Sequence, residues 1–318
     1  MKKEEKRRVV VLGGGTGLSV LLRGLKQSPL DITAVVTVAD DGGSSGRLRD
    51  ELDIPPPGDV RNVLIALSEA EPLLAALMQH RFKNGNGLSG HSLGNLIIAA
   101  MTDITGDFFK AITDFSRVLN VKGKVLPAAN QSIVLHAKMT DGTIVTGESK
   151  IPLSKKKIER VYLTPDKITP LNETLQAIDE SDLIVLGPGS LFTSILPNLL
   201  VPGIVEAIKK SKAKKVYICN VMTQVGETDD FKASDHVQAL INHVGTKLVD
   251  TIIVNNDKIP KEIQELYALE GAKPVECDEE RLKSFGFDII SDRIAHYEQQ
   301  LIRHDTKKVT EILLSLID

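Results

Sequence analysis

The residues of this chain best suited to chemistry are glycines, paired aspartates and isolated arginines gathered in short runs. Gly13-Gly14-Gly15-Thr16-Gly17 places four glycines in five positions directly after the apolar run Val9-Val10-Val11-Leu12. Such a loop lets the backbone reach positive φ and leaves no Cβ between chain and ligand, while a helix starting there offers free N–H groups and a positive dipole end. Phosphate is the natural occupant. The dinucleotide fingerprint does not close, because its third glycine would fall on Leu18 or Val20, and no lysine follows Gly17 in the triphosphate-loop position. Nucleotide phosphate binding in general is indicated; the ordinary dehydrogenase and P-loop kinase are disfavoured.

A second polar run, Asp40-Asp41-Gly42-Gly43-Ser44-Ser45-Gly46-Arg47, follows the next apolar stretch. Asp40 and Asp41 suit either a ribose diol or Mg²⁺ held against phosphate oxygens. Gly42, Ser44, Ser45 and Arg47 extend that polar edge. Three prolines, Pro55 to Pro57, then stiffen the approach to a helix through Ser68 for which Asp59 is the expected N-cap. Arg61 and Asn62 fall in its first turn, where the dipole disfavours a cation, so a bound anion is expected beside them. Ser92 and Asn95, in the run Gly90-His91-Ser92-Leu93-Gly94-Asn95, suit ligand hydroxyls or a helix cap, and His91 reads as structural. Gly187, Gly189 and Ser190 form one more glycine loop before a helix, and Asn220 ends a later strand. Near the carboxy terminus Tyr267 can stack on a base and Arg303 can fork onto a diphosphate.

These runs recur after β-branched stretches at 9–13, 31–39, 183–186, 215–219 and 251–254, with amphipathic helical patterns between them. Strand, glycine loop and helix in alternation predict an α/β fold, a Rossmann-like doubly wound and mainly parallel sheet, in one domain spanning 1–318. In such sheets ligands bind at the carboxyl ends of the strands, where all these loops converge. From about 122 to 165 the pattern changes to a small antiparallel insertion, marked by the hairpin signal Asp141-Gly142 between alternating stretches.

Composition narrows the function classes. The 318 residues are 42 % hydrophobic and 25 % charged, with a formal net charge of -3, which gives no global attraction to nucleic acid or an anionic membrane. Aromatic residues are 4 % and tryptophan is absent, which argues against a stacking platform for single strands. Cys219 and Cys277 form neither a C-x-x-C pair nor a disulfide framework. The charged amino terminus, Met1 to Arg8, lacks the apolar core of a signal peptide, and no stretch suits membrane insertion, so a cytoplasmic protein is expected.

With the motifs placed, the chain resembles the gluconeogenesis factor family, bacterial relatives of 2-phospho-L-lactate transferase. The resemblance runs through the stretches 9–17, 38–46, 55–62, 90–95 and 187–191 and covers nearly the whole chain. It implies a Rossmann-like fold that binds nucleotide sugars such as UDP-glucose and UDP-N-acetylglucosamine, and a role in growth and cell shape on gluconeogenic carbon sources. To the transferase itself the likeness is looser, resting on Gly14 to Gly17 and the Asp40-Asp41 pair. No nucleophile stands beside its base at fixed spacing, so a binding and regulatory role is preferred to catalysis. Transfer of a phosphate-bearing group, with Asp40 or Asp41 as metal ligand or base, is one alternative, and an NAD-type dinucleotide across the cleft is another. A homo-oligomer and a further protein partner are both compatible with the sequence.

Overall fold

In the computed structural model, which describes residues 6–298 and 301–317, the strands are β1 (Arg7–Gly13), β2 (Leu30–Val36), β3 (Lys124–Pro127), β4 (Val134–Met139), β5 (Ile144–Thr146), β6 (Ile158–Thr164), β7 (Leu183–Leu186), β8 (Lys214–Ile218), β9 (Thr251–Asn255), β10 (Asp288–Asp292), β11 (Ala295–Glu298) and β12 (Leu301–His304). Seven of them form one sheet in the order β10-β9-β8-β7-β1-β2-β3. All its pairings are parallel. Helices cover both faces, and Val9 to Leu12 of β1 are at most 2 % exposed, as a central strand buried on both sides requires. From β1 the chain winds outward through β2 and β3, then returns to β7 and winds the other way. The strand order therefore reverses between β1 and β7, which opens a crevice at their carboxyl ends. This is the Rossmann-like arrangement the sequence predicts. Part of the amino-terminal charged run, residues 1–5, lies outside the described residues.

Three boundaries differ from the sequence reading. β2 stops at Val36 and not Ala39: the bond from the Thr37 N–H to the Gly13 carbonyl at 3.1 Å is the last of the ladder, because β1 ends at Gly13, and Val38 and Ala39 are buried beyond the sheet. Residues 122–133 belong to the main body, because β3 pairs in parallel with β2. The antiparallel sheet is thus β5-β4-β6, within 134–164, and its β4–β5 turn is the expected Asp141-Gly142 hairpin with Gly142 at φ 84. Finally, the serine-rich stretch after Asp41 is itself a helix, Gly43–Leu52, whose polar composition hid it. The β11–β12 hairpin, which carries Arg303, was also unanticipated.

A buried asparagine ties the two halves of the sheet together. Asn198 is fully buried, and its Nδ2 donates to the carbonyls of Gly13 (3.0 Å) and Ser194 (2.8 Å). With two carbonyls as acceptors the amide nitrogen must face them. Asn198→Asp would set a buried carboxylate against both oxygens, so its unfolding free energy should fall by about 3 kcal/mol or more, and Asn198→Ala by about 1 to 3 kcal/mol. Urea denaturation followed by circular dichroism measures both.

Candidate functional site

The crevice between β1 and β7 holds the first glycine loop. Helix Gly15–Leu25 starts there behind Gly14, which has no side chain to cap it; the Gly15 N–H faces the Asp59 carboxyl, and the other end groups of the first turn are left for a ligand. The glycines have separate reasons. Gly15 sits at φ 63, and a Cβ on it would meet only Ser194 Oγ, 3.8 Å away. At Gly14 a Cβ would come within 2.5 Å of Asp59 Oδ2, and at Gly17 within 3.0 Å of the Pro188 carbonyl. Packing against neighbouring loops, rather than a ligand alone, thus demands glycine at positions 14 and 17.

Opposite stands the loop Gly187-Pro188-Gly189-Ser190, containing a cis Gly187-Pro188 bond. Ser190 Oγ accepts from Gln224 Nε2 at 2.7 Å, and Gln224 Oε1 accepts from Asn220 Nδ2 at 3.0 Å, so a polar chain runs along the wall. Gln224 is the member of this chain that the sequence reading did not choose, although it chose Ser190 and Asn220 on either side of it. Tyr267, on helix Lys261–Leu269, packs against a satellite apolar cluster of Val221, Met222, Ile259 and Ile302. Its hydroxyl accepts the Ile302 N–H at 2.9 Å and so fixes β12, the strand that carries Arg303. Gly14, Gly15, Thr16, Gly17, Gly189, Ser190, Asn220, Tyr267 and Arg303 line one cavity of ≈ 370 Å³. Residues from distant parts of the chain meet there. A larger groove of ≈ 680 Å³ lies beside the edge strand β3, away from every glycine loop, and is lined by none of the candidate residues.

The carboxylates of the aspartate pair turn to different partners. Asp40 Oδ1 accepts the Gly42 N–H at 2.8 Å, and Asp41 Oδ1 accepts the Ser149 N–H of the antiparallel insertion at 2.8 Å, so the two carboxylates diverge. Asp40 instead faces the start of helix Gly58–Leu67, where a Cβ on Gly58 would lie 2.5 Å from its Oδ2. The residue at the cap of that helix is Pro57, and Asp59 stands inside its first turn, which corrects the capping expectation. Asp59 reaches the glycine loop, and burial together with the Asp40 charge pushes its pKa up to about 7, an increase that the Gly15 N–H and Arg61 oppose. Local sequence could not reveal this, since a residue after Pro-Gly at a helix start has a capping role ready to hand. If Mg²⁺ were held here, Asp40 and Asp59 would be the nearest carboxylates to supply ligands; among the described residues no group of three or more His, Cys, Asp or Glu side chains is arranged to hold a metal ion.

The serines and amides of the other loops hold one another. Ser44 Oγ bonds His91 Nδ1 (3.0 Å) and accepts the Ser92 N–H (3.2 Å). Asn95 Nδ2 donates to Ser45 Oγ at 3.3 Å, and Asn95 Oδ1 accepts from Arg61 at 2.8 Å. Asn62 Oδ1 accepts from Arg61 at 2.8 Å, and Arg47 donates to the Ser89 carbonyl at 2.8 Å. Ser44, Ser45, Ser92 and Asn95 are at most 3 % exposed, so this network stiffens the floor beside the crevice.

Two further carboxyls join Asp59. Glu148, from the insertion, rises to about 8 through burial and then the charges of Asp40, Asp59, Glu227 and Asp41. Glu227 rises to about 7 through burial, which outweighs its bonds from Thr193 and its neighbours. Each holds its proton to higher pH when folded than when unfolded, so folding binds protons and stability falls as pH rises through these values. The melting temperature should therefore drop between pH 6 and pH 8.5, and Asp59→Asn or Glu148→Gln should flatten that slope in thermal scans.

Sequence comparison matches residues 9–295 to the family described as 2-phospho-L-lactate transferase CofD. A Bacillus subtilis protein named gluconeogenesis factor is 63 % identical over 313 residues, covering 98 % of this chain and 99 % of the relative. One of the same name from Listeria monocytogenes is 47 % identical over 317 residues, covering 100 % and 98 %. A crystal structure of a Bacillus halodurans protein superposes with a TM-score of 0.96 at 64 % identity, covering 98 % of this chain and 100 % of that one. Among the described residues no single helix is long and apolar enough to cross a membrane. Full-length matches of this identity, with the fold in common, mean that the chain belongs to the CofD 2-phospho-L-lactate transferase family.

Proposed function

We propose that the protein binds a nucleotide sugar of the UDP-glucose or UDP-N-acetylglucosamine class and acts as a cytoplasmic regulator of growth and cell shape on gluconeogenic carbon. The observation that carries the ligand reading is the meeting of the glycine-loop helix start, Tyr267 and Arg303 around one cavity. In this reading the first turn of helix Gly15–Leu25 and the Arg303 guanidinium take the diphosphate, which is the chemistry both groups serve best. Tyr267 offers its ring to the base or sugar, and the Ser190–Gln224–Asn220 chain offers donors and acceptors to hydroxyls. The shared name of the relatives supports the gluconeogenic setting. A regulator needs a listener, so a protein partner or a second copy of the chain is part of the proposal.

One observation favours a second reading. Asp59 stands beside the glycine loop in the field of Asp40, and a carboxyl with a pKa of about 7 can exchange a proton near neutrality, as transfer of a phosphate-bearing group would require. An NAD-type ligand spanning the same crevice is the remaining alternative from the fold.

Calorimetric titration with UDP-N-acetylglucosamine, UDP and NAD, each with Mg²⁺ and with chelator, tests these readings. Tyr267→Ala should weaken UDP and the UDP-sugar alike by about 1 to 3 kcal/mol, the usual worth of a base stack. Tyr267→Phe keeps the ring and loses the bond from Ile302 that fixes β12, so it should bind more tightly than Tyr267→Ala. Arg303→Lys should lose nearly as much affinity as Arg303→Ala, because lysine cannot reproduce the fork. Unchanged affinity in Tyr267→Ala and both Arg303 variants would remove the carboxy-terminal hairpin from the site, and tighter binding of NAD than of any UDP compound would replace the ligand class.

A further inference from the structure

On the other side of helix Gly15–Leu25 lies a cavity of ≈ 290 Å³ lined by Thr16, Ser19, Arg23, Arg61, Asn62 and Gln79. That volume is at the small end for a metabolite pocket, roughly 300 Å³. Thr16, Ser19 and Arg23 form an i, i+3, i+7 stripe on the helix, so they present one face to the space. Thr16 also lines the nucleotide-sugar cavity, and the two spaces adjoin across this turn.

The charge in the smaller cavity is uncompensated. Arg61 sits in the first turn of helix Gly58–Leu67, where the dipole already disfavours a cation. Its two bonds go to the neutral amide oxygens of Asn95 and Asn62, and its Nε is buried with no partner. Among the described residues neither Arg61 nor Arg23 forms an ion pair. Arg81 adds repulsion, and burial makes the Arg61 charge still costlier. Asp40 and Asp59 attract it from a distance only, and Asp59 is half-neutral near pH 7. Two guanidinium groups, the Thr16 hydroxyl and the amides of Asn62 and Gln79 around a small space make a recognition set for a phosphate carrying a short polar tail, because arginine forks match phosphate oxygens and amides match hydroxyls. The Ser19 hydroxyl donates to the Gly15 carbonyl at 3.2 Å.

We infer that this cavity is a second anion site, adjoining the nucleotide-sugar cleft but distinct from it, which takes a small phosphate monoester with its phosphate between Arg23 and Arg61. The inference stands on the arginine geometry and holds whether or not the larger cleft takes a nucleotide sugar.

Equilibrium dialysis with glycerol 3-phosphate and with inorganic phosphate, each with and without saturating UDP-N-acetylglucosamine, tests it. Saturable binding of the ester is expected in the wild type and in Arg303→Ala, persisting when UDP-N-acetylglucosamine is present. Arg23→Gln, a change at an exposed position, should weaken the ester at least tenfold while leaving UDP-N-acetylglucosamine affinity unchanged, and Arg61→Gln should weaken the ester equally if its melt remains cooperative. Absence of saturable binding, or full binding in Arg23→Gln, would overturn the site. Displacement by the nucleotide sugar, or loss in Arg303→Ala, would place the anion in the larger cleft instead. Inorganic phosphate binding as tightly as the ester would overturn the monoester assignment. Titration of the same variants with UDP-N-acetylglucosamine reads the nucleotide-sugar proposal separately, so either can fail alone.

Discussion

The carbonyl of Gly13 is the point on which the site depends. It accepts the Thr37 N–H at 3.1 Å and Asn198 Nδ2 at 3.0 Å, so the end of β1 is held by the segment leaving β2 and by the helix following β7. A carbonyl has two lone pairs, and here each serves one half of the doubly wound sheet. Because strand order reverses at this place, nothing in the ladder itself bridges the crevice above it. Asn198 reaches it from 185 residues further along the chain. Once Gly13 is fixed, Gly14 is confined by Asp59 and Thr37, Gly17 by Pro188, and the start of the helix is aimed with little freedom. A preorganised helix end loses less entropy on binding than a mobile loop would.

What could be read from the chain alone divides along the line between local and distant causes. β1, β7, β8 and β9 were legible because strands buried on both faces read as continuous apolar runs, and the loops after them because glycine clusters have few other uses. Helix Gly43–Leu52 was missed because its sequence, GSSGRLRDEL, has the composition of a turn, and tertiary contacts through Ser44, Ser45 and Leu48 decide its state. The run to Ala39 looked like strand since burial, not sheet pairing, sets its apolar character. Asp59 was assigned the commonest task of its position. Its actual surroundings come from Gly14 and Asp40, 45 and 19 positions earlier, and no local pattern carries that information.

The two sides of helix Gly15–Leu25 differ in electrostatic character. Asp40, Asp59, Glu148 and Glu227 come from four separate segments and share one half-buried region, whereas Arg23 and Arg61 share the cavity beside it. Opposite charges so near one another would ordinarily collapse into ion pairs. They do not, because the guanidinium of Arg61 is held by Asn62 and Asn95, and Asp40 and Asp41 are each held by a backbone N–H. Neutral amides thus keep cations and anions apart. Charge separation of this kind is costly to the fold and is characteristic of sites that receive polar ligands.

A cleft that receives an anion beside several carboxyl groups is coherent only if some of those groups are uncharged. Asp59 is adjacent to Gly14, the cap of the helix whose N–H groups face the crevice, so an ionised Asp59 would oppose any phosphate drawn there. Burial removes the conflict by holding the proton on the carboxyl until about pH 7. A phosphate entering the crevice would push that value higher still, since a like charge nearby disfavours ionisation. Proton and anion are therefore linked ligands: each binds better in the presence of the other, by the same factor. Asp59, Glu148 and Glu227, which look hostile to a nucleotide diphosphate when counted as negative charges, act through their bound protons as the element that ties anion affinity to pH.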